Sequence, residues 1–403
     1  MNAGLKSWVL AGIVAGAAAM GGCNQTTRNE RDGIVLYQTG NYAQAGIAIK
    51  QSINPEKKNE SYVLNNCRYG SCALAAGQFD EAQHAFLEAY RIINAGDVND
   101  AGRQMQASVV FEGVKVWKGE PFERAMAQYY LGMLMLMNHD YENARAAFQN
   151  SLFSLREGEK DNPEKFSVVQ SRFALGYFGL GFCNLRMNKP TVAEDNFKLA
   201  QQYDPKLAQL IADVQRPEVN GLVFIDAGHG PRKEPKGWYN EESVFGPTPA
   251  EVGPIMPPTV LVDGRPATRR GVAYDTIDTL AMAQDKHWMD IDTIKKFKAV
   301  VGTGAMAAGT GLAAAGAERR DKGMFWAGVG TAVVGAALAA SSQSDLRYWE
   351  LLPRTVYIVP VALAPGAHDV SVQIGNDHNL VHMEQPTPKP GETRDAVFYF
   401  RLR

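Results

Sequence analysis

Between residues 33 and 205 the apolar and small residues recur at three- and four-residue intervals, the spacing of one buried face of a helix, and they do so in pairs of runs. "GIVLYQTGNYAQAGIAI" carries Gly33, Gly40, Tyr42 and Ala45, and "GSCALAAGQFDEAQHAFLEA" carries Gly70, Gly77, Phe79, Ala82, Phe86 and Ala89. "GMLMLMNHDYENARAAF" follows with Gly132, Tyr141, Ala144 and Phe148, and "GFCNLRMNKPTVAEDNFKLAQQYDP" with Gly181, Ala193, Phe197, Ala200 and Pro205. Each copy predicts two helices joined by a polar turn. The small residue sits where the two helices of a pair meet, and the aromatics fill the groove to the next pair. After Pro217 the period changes from that of helices to that of strands: "NGLVFIDAG", "PTVLVDGR", "TVYIVPVAL", "AHDVSVQIG" and "AVFYFRLR" are short apolar or alternating runs bounded by turn residues. The Pro365-Gly366 pair predicts a hairpin turn between the third and fourth of these.

The offsets in the first half match the tetratricopeptide repeat, in which three or more helix pairs stack to share one continuous core. The copies are spaced unevenly, and the insert 96–120, with "VVFEGVKVWKG", accounts for one gap as a short extended segment. Such a solenoid offers a concave face to a protein or peptide partner, and Arg124, Asp140 and Glu142 are its candidate lining residues.

Two further stretches define the second half. Residues 231–258 carry seven prolines, which excludes a helix there. Residues 299–317 and 323–344 carry no charge and are rich in Gly and Ala, with "ERRDK" turning the chain between them. Small residues every fourth position let two helix backbones touch, so this region predicts a tight antiparallel helical hairpin. Ala and Gly favour insertion far less than Leu, Ile or Phe, so bilayer contact, packing between copies and burial within the chain all remain open. The expected fold class is α+β: an N-terminal α-solenoid of tetratricopeptide-like helix pairs (23–216), then a small, mostly antiparallel β domain. Its first, Pro-rich part is 217–298, the Gly/Ala-rich helical hairpin 299–344 interrupts it, and the final strands occupy 345–403.

Composition alters this picture only at the ends. The net charge of −2, with no basic patch interleaved by aromatics, argues against nucleic acid as a partner. "MNAGLKSWVLAGIVAGAAAMGGC" has a cationic start, an apolar run and small residues before a cysteine, which predicts a secretory signal over residues 1–22. Met20-Gly21-Gly22-Cys23 resembles a bacterial lipobox, which implies lipidation (palmitate among the acyl chains) of Cys23 as first mature residue. Asn24 in place of aspartate implies, by the same resemblance, release to the outer membrane, facing the periplasm. Cys67 and Cys72 share one predicted helix at a spacing that points them apart, so these and Cys183 are expected as free, packed thiols.

The chemistry-bearing candidate is "LVFIDAGHGPRKEPKG", residues 222–237, a strand running into a glycine-flanked histidine. It resembles the start of the zinc-dependent peptidoglycan amidases, in which this histidine, here His229, binds the metal. A catalytic zinc needs three protein ligands and an open position. Glu241 or Glu242 could stand second and His287 third, but His287 falls in a predicted helix without the expected Ser-x-His setting. His368, His378 and His382 lack partners at ligand spacing and are expected as surface histidines. No metal and no cofactor is expected.

"KGEPFERAMAQYYLGMLMLMNHDYENARAAF", "NGLVFIDAGHGPRKEPKG" and "SDLRYWELLPRTVYIVPVALAPGAHDVSV" together resemble an uncharacterised bacterial family of outer-membrane lipoproteins, with an N-terminal tetratricopeptide half and a C-terminal β-rich module. The family's Gly-x-x-Pro-x-Lys element falls on Gly228, Pro231 and Lys233, and its Leu-Arg-x-Trp-x-x-Leu-Pro element on Leu346, Arg347, Trp349, Leu352 and Pro353. The resemblance implies a non-enzymatic, lipid-anchored envelope protein. The expected partners are other envelope proteins through the repeat groove and the outer membrane through the lipid, with residues 299–344 a candidate second contact, and the chain is expected as a homo-oligomer. The alternatives are an oligomeric ring or pore-like component built on the Gly/Ala hairpin and, as a minor one, a zinc amidase.

Overall fold

The computed structural model describes residues 27–94, 110–155, 171–236, 242–249, 256–285, 345–374, 377–385 and 395–402, apart from 57, 112–113 and 269–270, with a few residues between 310 and 332. The signal segment, Cys23, His287, Glu241 and nearly all of the Gly/Ala-rich stretch lie outside these residues.

Among the described residues eight helices form four antiparallel pairs: α1 (Arg28–Gln38) with α2 (Tyr42–Lys50), α3 (Tyr62–Ala75) with α4 (Phe79–Ile93), α5 (Pro121–Met137) with α6 (Tyr141–Ser154), and α7 (Ala174–Arg186) with α8 (Pro190–Tyr203). Local chemistry fixes the starts. Thr27 and Glu30 form a capping box at α1, and Glu120 and Glu123 do the same at α5, where Pro121 takes the first helical position that lacks nothing by having no N–H. Within each pair the glycine read from the sequence faces one large side chain. A Cβ on Gly33, Gly70, Gly132 or Gly181 would lie 2.7, 2.8, 2.9 or 2.5 Å from Ile49, Phe86, Phe148 or Phe197, respectively. One contact, repeated four times, sets the distance between the helices of a pair. This is a helical half of tetratricopeptide type. In the insert, Val110–Phe111 pairs antiparallel with Val114–Lys115, the short extended segment expected there.

A short helix α9 (Ala208–Val214) leads into the strands. In the first sheet β1 (Gly221–Ala227) lies between β10 (Ala396–Leu402) and β7 (Thr355–Val361), and β6 (Tyr274–Asp278) follows β7. In the second, β8 (Gly366–Ile374) lies between β9 (Asp377–Gln385) and β4 (Thr259–Val262), which turns through Asp263-Gly264 into β5 (Arg265–Pro266). The short helix α10 (Thr279–Gln284) follows β6, with Asp278 accepting from the Leu280 and Ala281 N–H groups. The fold is therefore mixed helix and sheet.

The pairing is mostly antiparallel, with one parallel pair: β10 runs alongside β1, Ala396 opposite Gly221 through Leu402 opposite Ala227. A parallel neighbour needs a long crossover, and here most of the second half of the chain supplies it. One expectation changes: Pro365-Gly366 makes no hairpin, because β7 stays in the first sheet while β8 enters the second and pairs with β9 and β4. That turn passes the chain from one sheet to the other.

Every residue of β1 and β7 is buried, which a strand needs both faces covered to achieve. On one face Val223, Ile225, Val359, Phe398 and Phe400 meet Val260, Val370 and Val372 of the second sheet. On the other, Phe224 meets the ring of Tyr129 on α5, 6.2 Å between centroids. The seam among Tyr129, Leu175, Phe178, Leu222 and Phe224 leaves no room even for a water. Helices, first sheet and second sheet thus stack as three layers. The repeats and these two sheets, read above as successive domains, belong to one compact unit. The hairpin of β2 (Arg232–Lys236) and β3 (Glu242–Gly246) belongs to a separate unit. Cys67, Cys72 and Cys183 are free and buried, and burial pushes each thiol far above its ordinary range.

Candidate functional site

The first helix of each pair lines the inner face of a solenoid, and here that face is covered. All of α3 from Tyr62 to Leu74 is buried, charged and amide residues included. A buried polar group is tolerable only with partners, so what each of these holds defines the site.

Arg68, 3% exposed, donates through Nε and Nη2 to the two carboxylate oxygens of Glu350, at 2.8 and 2.6 Å. Its Nη1 donates to Asn65 Oδ1 at 2.8 Å, and Asn65 in turn donates to Glu30 Oε1 at 2.5 Å. The guanidinium is therefore oriented from behind before it meets its carboxylate. Beside it the indole N–H of Trp349 donates to Ser71 Oγ at 3.1 Å, and the ring lies against Phe86 and Tyr130, 5.7 and 5.9 Å between centroids. The backbone N–H of Trp349 donates to Glu123 Oε1 at 2.6 Å, while Glu123 Oε2 accepts from Glu120 N–H in the capping box.

Further along the same face Tyr130 and Tyr399 donate to Asp226 Oδ2, at 2.6 and 2.8 Å. Burial pushes the Asp226 carboxyl up to about 6, against the opposite pull of Arg401 and of these two phenols. Arg401 donates to Tyr37 Oη at 3.0 Å, to the Asp226 carbonyl at 3.1 Å and to the carbonyls of Gly228 and Leu402. Arg186 Nε reaches both Asp395 oxygens at 2.9 Å, Tyr141 donates to the same carboxylate at 2.8 Å, and Arg186 Nη2 donates to the Val219 carbonyl. Each repeat thus contributes polar side chains that grip the chain's own C-terminal half. The carboxylates are occupied by donors, and all but the partly exposed Glu350 are buried, which holds segment against segment.

The sequence-expected groove residues are not gathered here. Asp140 caps α6, accepting from Asn143 N–H at 3.2 Å and from Asn143 Nδ2 at 2.7 Å. Glu142 is exposed and pairs with Arg145 and Lys189 at 3.3 and 3.5 Å, while Arg124 sits half-buried at the opposite end of α5. The open concave face expected of the repeats is filled by the first sheet and by Trp349.

The two family elements fare differently. Gly228 has a φ of 68°, a turn geometry glycine allows, and its carbonyl accepts from Arg401. Gly230 N–H donates to the Leu352 carbonyl at 2.8 Å, so the strand-end turn and the Trp349 segment meet there. Pro353 offers its carbonyl to Thr279 Oγ1 at 2.6 Å, and Pro231 is buried. In the other unit the buried Lys233 places Nζ 5.5 Å from the Phe245 ring centroid, Arg347 pairs with Asp345 at 2.6 Å, and Leu346 is exposed. His229 is half-buried in its turn. Among the described residues no three His, Cys, Asp or Glu come together as a metal set.

What the sequence did not single out is Arg68, Glu123, Arg186, Asp226, Glu350, Asp395 and Arg401. The usable signal was a charge inside an otherwise apolar run, as in "LVFIDAG", "AVFYFRLR" and "YVLNNCRYGSCALA".

No family model matches the chain, and no curated protein does. Among solved structures it is similar to a crystal structure of MamA, at 14% identity over 52% of this chain and 98% of that one, with a TM-score of 0.30. Two further MamA structures align at 15% and 16% identity over 45% and 44% of this chain and 97% and 99% of theirs, each with a TM-score of 0.22. At such scores, fold and function are left to the chain's own residues.

Proposed function

We propose that this chain is a non-enzymatic, lipid-anchored scaffold of the bacterial envelope, working through surfaces and not through bond-breaking. The observation that carries this is the inner face of the repeats, where the carboxylates and cations described above are spent in holding chain against chain. The anchor rests on the sequence: a signal-like start, the lipobox-like Met20 to Cys23, and Asn24 favouring the outer membrane. Copies associating through residues 299–344 would follow from their small-residue period.

Metabolic labelling of the full chain with an alkyne-bearing palmitate, followed by envelope fractionation and crosslinking, tests this reading. The label should enter the outer-membrane fraction, vanish in Cys23→Ala, and accompany crosslinks to other envelope proteins. A label that survives the substitution, or a chain released soluble without crosslinks, would sink it. Particle size in mild detergent with and without residues 299–344 tests the association.

A further inference from the structure

Residues 348–353 lie against the repeats as a bound peptide would. They form neither helix nor strand, and they are gripped at three chemically different points. The indole enters an aromatic setting of Phe86 and Tyr130 with Ser71 at its N–H, the Trp349 backbone N–H meets the Glu123 carboxylate, and Glu350 meets Arg68 in a two-pronged pair. The gripping side chains are themselves buried: Arg68 to 3%, Ser71 to 5% and Glu123 to 2% exposure. Asn65, braced by Glu30, holds the guanidinium in place from the far side.

A buried guanidinium without its carboxylate is strongly unfavourable, and at Arg68 the buried partner is the cation while Glu350 is partly exposed. If Trp349 and Glu350 leave, another aromatic and another carboxylate must arrive. A neutral or basic peptide could not replace them. We infer that the inner face of the second and third repeats is a recognition groove for an extended segment bearing an aromatic residue followed by an acidic one, held shut by the chain's own residues 348–353. The inference deepens the scaffold reading and rests on it: it names the partner's chemistry and makes binding conditional on displacing the resident segment.

The test uses the full chain and a fluorescein-labelled synthetic peptide of the sequence DLRYWELLPR, which is that of residues 345–354. Glu350→Gln removes the resident charge at constant shape and leaves Arg68 in need of a carboxylate. The variant, folded by circular dichroism, should bind the peptide at least tenfold more tightly than the wild type does. A peptide with Gln in place of its Glu should lose that gain. Equal binding by both chains, or by both peptides, overturns the inference. Should the variant not fold, amide exchange on the wild type decides. Residues 348–353 must open faster than β7 (Thr355–Val361), and opening only together with that strand overturns it. Neither result bears on palmitate labelling or envelope crosslinks, so failure here is distinguishable from failure of the scaffold reading.

Discussion

Tyr129 and Tyr130 are neighbours on α5, both buried, with opposite accounts to give. Tyr130 donates to a buried carboxylate, whereas the Tyr129 hydroxyl and the Gln128 amide have no hydrogen-bond partner among the described residues. Tyr130→Phe should cost about 1.5–3 kcal/mol, the worth of a hydrogen bond to a charged group. Tyr129→Phe should be neutral or stabilising, within about 1 kcal/mol, because it removes a buried polar atom and little else. Urea unfolding of the two variants checks the contrast, and equal losses would contradict it. Asp226 carries a pH signature. Its folded value of about 6 lies above that of an unfolded aspartate, so the folded state binds the proton more tightly. Its contribution therefore falls as pH rises from about 4 to about 6, on the order of 2–3 kcal/mol across that window. His368 shifts upward through its bonds to Asp263 and the Ala364 carbonyl, so its contribution is present in acid and lost as pH rises through its folded value. Asp278 runs the other way: burial would raise it, but Arg354 and two backbone N–H groups outweigh that, so its contribution is lost as pH falls through its lowered value. Melting temperature should peak in mild acid, and Asp226→Asn should flatten the slope above the peak. These positions were only half legible. A lone Asp or Arg within an apolar run announces burial, but the partner sits on another element far along the chain, and no local pattern names it.

At the scale of elements, the repeats were the most readable part, because a helix pair writes its contact into one short stretch. Gly132 against Phe148 is such a contact, with a Cβ falling 2.9 Å from the ring. Gly132→Ala should destabilise by about 1–3 kcal/mol despite the ~1 kcal/mol that alanine gains in a helix, and Phe148→Leu in the same chain should restore part of it. An additive loss in the double variant would show that the two do not touch. The strands were legible as strands, and their neighbours were not. Pro365-Gly366 has the composition of a hairpin turn, yet which sheet receives β8 depends on Val370 and Val372 packing on Val260 and beneath β7. The parallel β10–β1 pair is likewise invisible locally, since alternation gives a strand its faces and says nothing of its direction.

The whole molecule was the least legible, because burial on both faces of the first sheet follows only once three layers are assembled. Hydrophobic runs in β1 and β7 hinted at it. A sheet fixed to its helices by buried charge pairs should not unfold apart from them. Amide exchange should give α3 and β1 the same opening free energy, and Arg186→Ala, which strands the buried Asp395, should lower both together by about 3–5 kcal/mol. Separate opening of sheet and repeats would contradict the shared interior.

Tyr37 on α1 receives its hydrogen bond from Arg401 in β10, and Arg401 also holds the turn after β1. A nascent polypeptide must therefore be made through residue 402 before α1 finds every neighbour described above. Products that stop before β10 should be sticky and short-lived, because synthesis of that strand, not merely of the repeats, sets when the shared interior can close.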